Sequence, residues 1–271
     1  MVWGTFSIAH IISLVIAVLL NVITFLILKN KREKVKIIVL LSLSSFGILA
    51  IIFNLVAWNS PLEYLPFHMC NINALLIPIA LITKNKKIGN LLLLWSIGAL
   101  IALIVNHQAQ NFKLFSLTFF QYYLSHTFEF GIPILIFALK IIPLDNKTIP
   151  STLLISLVIL IVIHFINLFL NEYIQRNDIR DYKGDLIIVN YMFTIKPDNP
   201  TLQFFYNLIP VPLLYLLPIF PIFAIYLFLI YLPSFIKEKR KGHILFLTKM
   251  SFVLLFGFFF FNFFFSCFLF L

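Results

Sequence analysis

Runs of apolar residues long enough to cross a bilayer follow one another along most of this chain. A transmembrane helix needs about 20 such residues, and short polar segments separate one run from the next. The runs cover residues 5–28, 37–58, 67–83, 88–105, 117–140, 150–170 and 202–232, and a Phe-rich run at 244–271 adds an eighth. We therefore predict an all-α, polytopic transmembrane helix bundle of seven to eight spans, with residues 1–271 forming a single integral membrane domain.

The composition agrees with a membrane protein and excludes several other classes. Hydrophobic residues make up 62% of the chain and charged residues 11%, whereas about a quarter of the residues in a soluble domain are charged. With 2 cysteines and 8 glycines, neither a disulfide scaffold, a Cys-rich zinc site nor a Gly-rich phosphate loop is expected, and we predict no cofactor. The net charge of +10 lies mostly between the apolar runs, which indicates membrane topology rather than nucleic-acid binding.

The distribution of Lys and Arg predicts which loops face the cytoplasm. Loops 29–36, 84–87, 140–147 and 233–243 hold 14 of the 20 basic residues, and the intervening loops hold 5. Because basic loops stay on the cytoplasmic side, the N-terminus is predicted to lie outside. The long polar loop at 171–201 is then also outside, and we expect a multi-pass protein of the cell membrane.

Polar side chains in the third span are functional candidates, because polar groups inside a membrane are costly. The outer end of this span reads LPFHMCN at residues 65–71. At about 100° per residue, Cys70 and Asn73 share one helix face, while His68 and Asn71 share another. His68 is therefore poorly placed to activate Cys70 in a regular helix, and we expect it to bind a lipid headgroup or to orient the loop.

A second polar stripe lies on the fifth span, which also starts on the outer side. Tyr122, His126 and Glu129 fall at i, i+4 and i+7 on one helix face. Glu129 is the only acidic residue well inside any predicted span. It either orients the His126 imidazole, as the third group of a nucleophile–base–orienter arrangement, or is a structural carboxyl that is protonated or salt-bridged.

Cys70 and His126 together indicate nucleophilic catalysis. A thiol attacks poorly until an imidazole removes its proton, and both residues lie in the half of the membrane where outer-leaflet acyl chains meet headgroups. The residues alone nevertheless favour the alternative that Cys70 is a small buried hydrophobe, and Cys267 has no polar neighbours in sequence. The histidines lack close ligand spacing such as HxxxH, so no metal site is predicted.

Three segments of the chain resemble the YwaF-like integral membrane proteins of bacteria, a family that also includes a vertebrate transmembrane ether-phospholipid acyltransferase. LPFHMCN (65–71) is similar to the family's LPLHLCN, and FFQYYLSH (119–126) is similar to its FFQFFLSH. NYMF (190–193) is similar to its NYxF motif. The three segments occur in the family's order, and the resemblance covers a core at residues 61–232.

Two stretches depart from the family pattern. Residues 209–214 read IPVPLL where the family has GPWPWY, so the aromatic side chains are missing. The outer loop at 171–188 is longer than is usual in the family. The first departure leaves the substrate contacts of the seventh span undefined, and the second leaves the acceptor undefined.

The resemblance implies a membrane acyltransferase. An acyl chain would pass from a membrane phospholipid to Cys70 as a thioester, with His126 as the base, and then to a lyso-acceptor such as a lysophospholipid. The predicted topology alone adds the amino terminus of a lipoprotein as a second acceptor. Asn71, Asn73 or Tyr122 would donate hydrogen bonds to the oxyanion. The complete set of candidate substrate-binding residues is His68, Asn71, Asn73, Tyr122, Asn190 and Tyr191.

Two functions from other classes stay open at this point. A non-catalytic transporter or permease would use the stripe of His126 and Glu129 as a solute path, and the prolines of the seventh run fit that function. In that case Glu129 would be critical and Cys70 dispensable. For a scaffold or assembly protein, alanine at both positions would be silent.

Overall fold

The structure of the chain, a computed structural model, describes residues 2–57, 60, 62–105, 109–181 and 183–240. These residues form eight α-helices and no strand, so the all-α prediction is confirmed for this part of the chain. The helices are α1 Ile8–Leu28, α2 Glu33–Ala57, α3 Met69–Thr83, α4 Lys86–Val105, α5 Leu117–Ala138, α6 Ile149–Arg176, α7 Pro200–Leu208 and α8 Ile219–Arg240. The predicted eighth span at 244–271 and Cys267 lie outside the described residues.

The helices begin where side chains can replace missing backbone partners. Ser7 precedes α1, and its hydroxyl accepts a hydrogen bond from the backbone N–H of His10 at 3.1 Å. Ser116 does the same for α5, accepting from the N–H of Phe119 at 3.2 Å. Serine is a favoured N-cap because the first N–H groups of a helix have no partner within it. These caps fix the starts of the two helices close to the predicted positions.

The seventh apolar run, residues 202–232, is interrupted, as its prolines indicate, and forms parts of two helices rather than one. The structure has the nine-residue helix α7, an irregular stretch with a 3₁₀ turn at Leu214–Leu216, and then α8. Pro210 and Pro212 have no backbone N–H to donate within a helix, and Leu213 has a left-handed backbone with φ 64°. The apolar run is therefore divided between two helices.

Five segments are long and apolar enough to cross a membrane, namely α1, α2, α4, 146–176 and 214–232. Helix α3 is apolar but short, at 15 residues. Helix α5 carries the polar stripe and does not reach the same hydropathy. The exact number of spans and the outward N-terminus therefore stay predictions.

Helix α5 lies in the centre of one half of the bundle, where it packs against α1, α2, α3 and α4. Of its 22 residues, 11 are buried. The packing of α5 against protein on several sides explains how it carries polar side chains, because protein can satisfy groups that lipid cannot. This position brings the polar stripe of α5 next to the start of α3.

The second half of the bundle joins α4, α6 and α8 to the segment that follows α6. Asn167 on α6 accepts a hydrogen bond from the Tyr191 N–H at 2.9 Å and donates to the Tyr191 carbonyl at 2.8 Å. Asn171 makes the same pair of bonds with Val189, both at 2.8 Å. A buried backbone needs such partners, so the two asparagines fix this segment against the helix.

Candidate functional site: a buried Cys–His–Glu group

Cys70, His126 and Glu129 meet between the start of α3 and the third and fourth turns of α5. The Cys70 sulfur, one His126 ring nitrogen and one Glu129 carboxyl oxygen all lie within 4.8 Å of one another. The spacing along the two predicted spans had left the depths of Cys70 and His126 about 8 Å apart at 1.5 Å per residue. The first turn of α3 therefore lies beside the middle of α5, closer to His126 than the positions along the two predicted spans indicated.

Cys70 is the second residue of α3, where backbone N–H groups lack intrahelical partners. The first bond within the helix runs from the Ile72 N–H to the His68 carbonyl, at 3.0 Å. The Cys70 thiol donates to the Asn71 side-chain oxygen at 3.7 Å. A thiolate formed here would be stabilised by the positive end of the helix dipole.

The His126 ring is held in one orientation by its own helix. Its Nδ1 lies 2.8 Å from the carbonyl of Tyr122 and 3.3 Å from the Ser125 hydroxyl. Because a carbonyl only accepts, Nδ1 carries the proton, and the lone pair of the neutral ring is on Nε2. The Tyr122 ring lies against the imidazole, with centroids 4.2 Å apart. His126 is thus prepared to accept a proton through Nε2.

Glu129 does not supply the hydrogen bond to Nδ1 that the sequence analysis had considered, since the Tyr122 carbonyl already fills that place. Its side chain is 4% exposed, and its Oε2 atom is buried with no hydrogen-bond partner. A Cβ at Gly47 of α2 would stand 3.1 Å from its Oε1 and 2.7 Å from the Ala74 Cβ. Glycine at position 47 therefore leaves the space in which this carboxyl lies.

Two prolines change the backbone around this carboxyl. Pro78 lies inside α3 and Pro133 inside α5. A proline has no N–H for the carbonyl four residues earlier, so the carbonyls of Ala74 and Glu129 lose their usual helical donors. Both prolines thus leave acceptor oxygens near the Cys–His–Glu group.

The predicted oxyanion donors differ in whether their polar side-chain atoms already form hydrogen bonds within the protein. The Tyr122 hydroxyl donates to the Ala102 carbonyl at 2.9 Å, and the Asn71 side-chain oxygen accepts from the thiol. Asn73 is fully buried, and neither atom of its amide has a hydrogen-bond partner among the described residues. Asn73 lies one turn after Cys70 on the same helix face, so it is the predicted side-chain donor that is still available.

The remaining predicted substrate-binding residues join the start of α3 to the segment that follows α6. His68 Nδ1 accepts from the Met192 N–H at 3.3 Å, and its ring packs edge-on against Tyr191. The Tyr191 hydroxyl donates to the Leu62 carbonyl, and burial raises the pKa of that hydroxyl, which favours the donating form. Asn190 bonds to the backbone of Ile195 and Lys196. These polar groups are used to hold the loop over the start of α3.

Asn21 of α1 is a further polar side chain that contacts α5, and it is not among the residues predicted from the sequence. Its amide nitrogen donates to the carbonyls of Ala17 and Thr127, at 2.9 and 3.2 Å, and its oxygen is buried without a partner. A Cβ at Gly131 would stand 1.6 Å from that oxygen. The sequence does single out Asn21, because it is an isolated amide inside an apolar run and polar groups inside a membrane span are functional candidates.

Cys70, His126 and Glu129 are also the only such cluster in the described part of the chain that offers three metal-ligand atoms together. Thiolate, imidazole and carboxylate are all zinc ligands, and three protein ligands with one open position are typical of catalytic zinc. The Nδ1 bond to a backbone carbonyl would also suit a metal-bound histidine. The same three groups equally suit nucleophilic catalysis by a thiol.

The fold and this group define a helical integral membrane protein that brings a thiol, an imidazole and a buried carboxyl together between its helices. The chain belongs to the TMEM164 family, whose family model matches residues 5–237. This family of membrane proteins includes the vertebrate TMEM164, and the match confirms the resemblance seen in the three segments. Neither the comparison with curated proteins nor that with solved structures finds a match.

Proposed function

We propose that this protein is a cysteine-dependent membrane acyltransferase, with Cys70 as the nucleophile and His126 as the base. The proposal depends on one observation, which is that the Cys70 sulfur and a His126 nitrogen lie within 4.8 Å although they come from different helices. A nucleophile and its base are often farther apart without substrate than in the reacting complex. Rotation of the Cys70 side chain breaks its contact with Asn71 and frees the thiol to meet the imidazole.

In the first step, Nε2 of His126 takes the thiol proton and the sulfur attacks the ester carbonyl of a phospholipid. The sulfur–carbon bond forms, and the carbonyl oxygen becomes an oxyanion. Backbone N–H groups at the start of α3 and the Asn73 amide are available to stabilise it. When the oxyanion collapses, the glycerol oxygen leaves with the proton from His126, and an acyl thioester remains on Cys70.

In the second step, His126 takes a proton from an acceptor hydroxyl or amine, which attacks the thioester. The carbon–sulfur bond breaks, and the thiolate recovers its proton from His126. A lysophospholipid is the acceptor that matches the donor in size and chemistry, and a lipoprotein amino terminus is the alternative. The predicted topology places both half-reactions in the outer leaflet of the cell membrane.

Intact-protein mass spectrometry tests this function directly. Wild-type protein, Cys70→Ala and Cys267→Ala are incubated in nanodiscs of phosphatidylcholine, and the mass of each chain is measured before and after hydroxylamine. We expect an acyl adduct on wild type and on Cys267→Ala that hydroxylamine removes, because hydroxylamine cleaves thioesters. Cys70→Ala should carry none.

The absence of an adduct on all three folded proteins would contradict the proposal. The transporter function would then lead, because the buried Glu129 carboxyl fits a group that binds a cation or proton in transit. In that case a flux assay in vesicles should be sensitive to Glu129→Gln and insensitive to Cys70→Ala.

A further inference from the structure

The buried state of Glu129 restricts the form of its carboxyl. None of the ion pairs in the described part of the chain includes Glu129, and its Oε2 atom has no hydrogen-bond partner. An unpaired carboxylate away from water is strongly unfavourable, and such a group takes up a proton instead. A neutral carboxyl has an O–H to donate, whereas a carboxylate only accepts.

We infer that Glu129 is a neutral acid whose O–H donates a hydrogen bond to the oxyanion formed during acyl transfer. The inference rests on the proposed function and adds a catalytic residue to it. During attack, the thiol proton goes to His126 and the electron pair of the carbonyl goes to its oxygen. Glu129 keeps its own proton throughout, so nothing besides the phospholipid is consumed.

The geometry around the sulfur supports this role over the role of orienting His126. The Tyr122 carbonyl already binds Nδ1, so His126 needs no carboxylate to set its tautomer. The Glu129 carboxyl lies within 4.8 Å of the sulfur, and no hydrogen bond joins it to the imidazole among the described residues. An acyl oxygen two bonds from the sulfur falls within the reach of that carboxyl.

Apolar surroundings preserve the donor. Gly47 and Ala74 face the carboxyl, and the side chain is 4% exposed. Elsewhere, carboxylic acids held neutral by apolar sites donate to oxyanions in the same way. The sulfur belongs to the second residue of α3, where backbone N–H groups lack helical partners, and the carboxyl comes from α5. An oxyanion could therefore receive donors from two helices.

Two substitutions of Glu129 distinguish a neutral hydrogen-bond donor from an ionised carboxylate. Glu129→Gln keeps the size and an N–H donor but can never ionise, and Glu129→Leu removes the donor. In a Cys267→Ala background, the rate of acyl-adduct formation on Cys70 is measured in phosphatidylcholine nanodiscs by rapid quench and mass spectrometry. We expect the rate of adduct formation to fall less than tenfold in Glu129→Gln and about 100-fold or more in Glu129→Leu.

Alkylation of Cys70 by iodoacetamide provides the second measurement, because it uses the thiolate but forms no oxyanion. We expect Glu129→Leu to alkylate within threefold of the parent rate, which also shows that the thiol and imidazole are still in place. If alkylation slows as much as acylation, Glu129 acts on the thiol or the imidazole and the inference is wrong.

Three further outcomes overturn the inference. If the parent forms adducts and Glu129→Gln is as slow as Glu129→Leu, the reaction needs an ionised carboxylate. If the parent holds one metal ion per chain that Glu129→Gln loses, the carboxyl is a ligand and not a donor. If the folded parent forms no adduct at all, the proposed function itself fails and this inference fails with it.

Discussion

The imidazole of His126 donates from Nδ1 to the carbonyl of Tyr122, four residues earlier on the same helix, at 2.8 Å. This bond fixes the tautomer through backbone that every α-helix possesses, so no separate side chain is needed as an orienter. It leaves the lone pair of the neutral ring on Nε2, the nitrogen that is available to accept a proton. The Tyr122 ring, packed against the imidazole, restricts the remaining rotation.

We expect His126→Ala to slow alkylation of Cys70 by iodoacetamide about 100-fold. Without the imidazole the thiol has no base, and general-base contributions typically reach 10²–10⁴-fold. The rate is measured by mass spectrometry of a Cys267→Ala background, so that only Cys70 is counted.

His164→Ala is the matched control for the His126 substitution. His164 is also a histidine on a long helix, but its Nδ1 contacts the Thr194 hydroxyl at 3.1 Å, away from the Cys–His–Glu group. The alkylation rate of this variant should stay within twofold of the parent. Equal slowing in both variants would show a general loss of structure and would contradict the role of His126.

Gly47→Ala should destabilise the contact between α2 and α3 by about 1–3 kcal/mol, as expected for an overpacked core. The new methyl would stand 2.7 Å from the Ala74 Cβ and 3.1 Å from the Glu129 Oε1. The thermal unfolding midpoint in detergent measures the loss. The double variant Gly47→Ala with Ala74→Gly removes the closest contact and should regain part of the midpoint.

Gly98→Ala is the control for overpacking in a helix. Its added methyl would meet the Met69 sulfur at 3.1 Å, at a flexible thioether that can move aside. We expect a smaller fall in the midpoint than for Gly47→Ala. A double variant at 47 and 74 that is less stable than Gly47→Ala alone would contradict the proposed clash.

The positions of the helices were largely predictable, because apolar runs of about 20 residues have few alternatives in a membrane protein. The break after α7 is indicated by the prolines of the seventh run, but the apolar residues on both sides do not show where each helix begins and ends. The stripe of Tyr122, His126 and Glu129 on α5 also followed directly from helical periodicity. Contacts within one helix are fixed by local sequence, so they can be derived from it.

The meeting of Cys70 with His126 could not be derived in the same way. It depends on how deep α3 begins, and the turns and bends at 62–68 that set this depth have no periodicity. The roles of Asn190 and Tyr191 show the same limit. Their motif predicts substrate binding, which stays a prediction, and it did not show that they bond to the backbone of their own loop and of residue 62. The spacing of residues within a loop does not show which distant residues the loop will contact.

Asn167→Ala should loosen the segment that covers the start of α3. The substitution leaves the buried N–H and carbonyl of Tyr191 without their partner, at a cost of about 1–3 kcal/mol for each unpaired group. We expect a lower unfolding midpoint and faster proteolytic cleavage between residues 177 and 199. Asn177→Ala is the control, because that exposed amide bonds only to Tyr173 of its own helix. Cleavage that is equally fast in both variants would contradict the anchoring role of Asn167.

Chelation should leave the acyltransferase reaction unchanged. A zinc ion at this group would require Cys70 as thiolate and Glu129 as carboxylate, whereas the proposed reaction starts from a thiol and uses a neutral carboxyl. Protein washed with 1,10-phenanthroline should therefore form the Cys70 adduct at the rate of untreated protein, within twofold. Elemental analysis of the same samples gives the metal content per chain. The contrary result has three parts: wild type holds one zinc per chain, Cys70→Ala and His126→Ala lose both the zinc and adduct formation, and added zinc restores both to the washed protein. That result would assign the group to metal-assisted hydrolysis of a lipid ester.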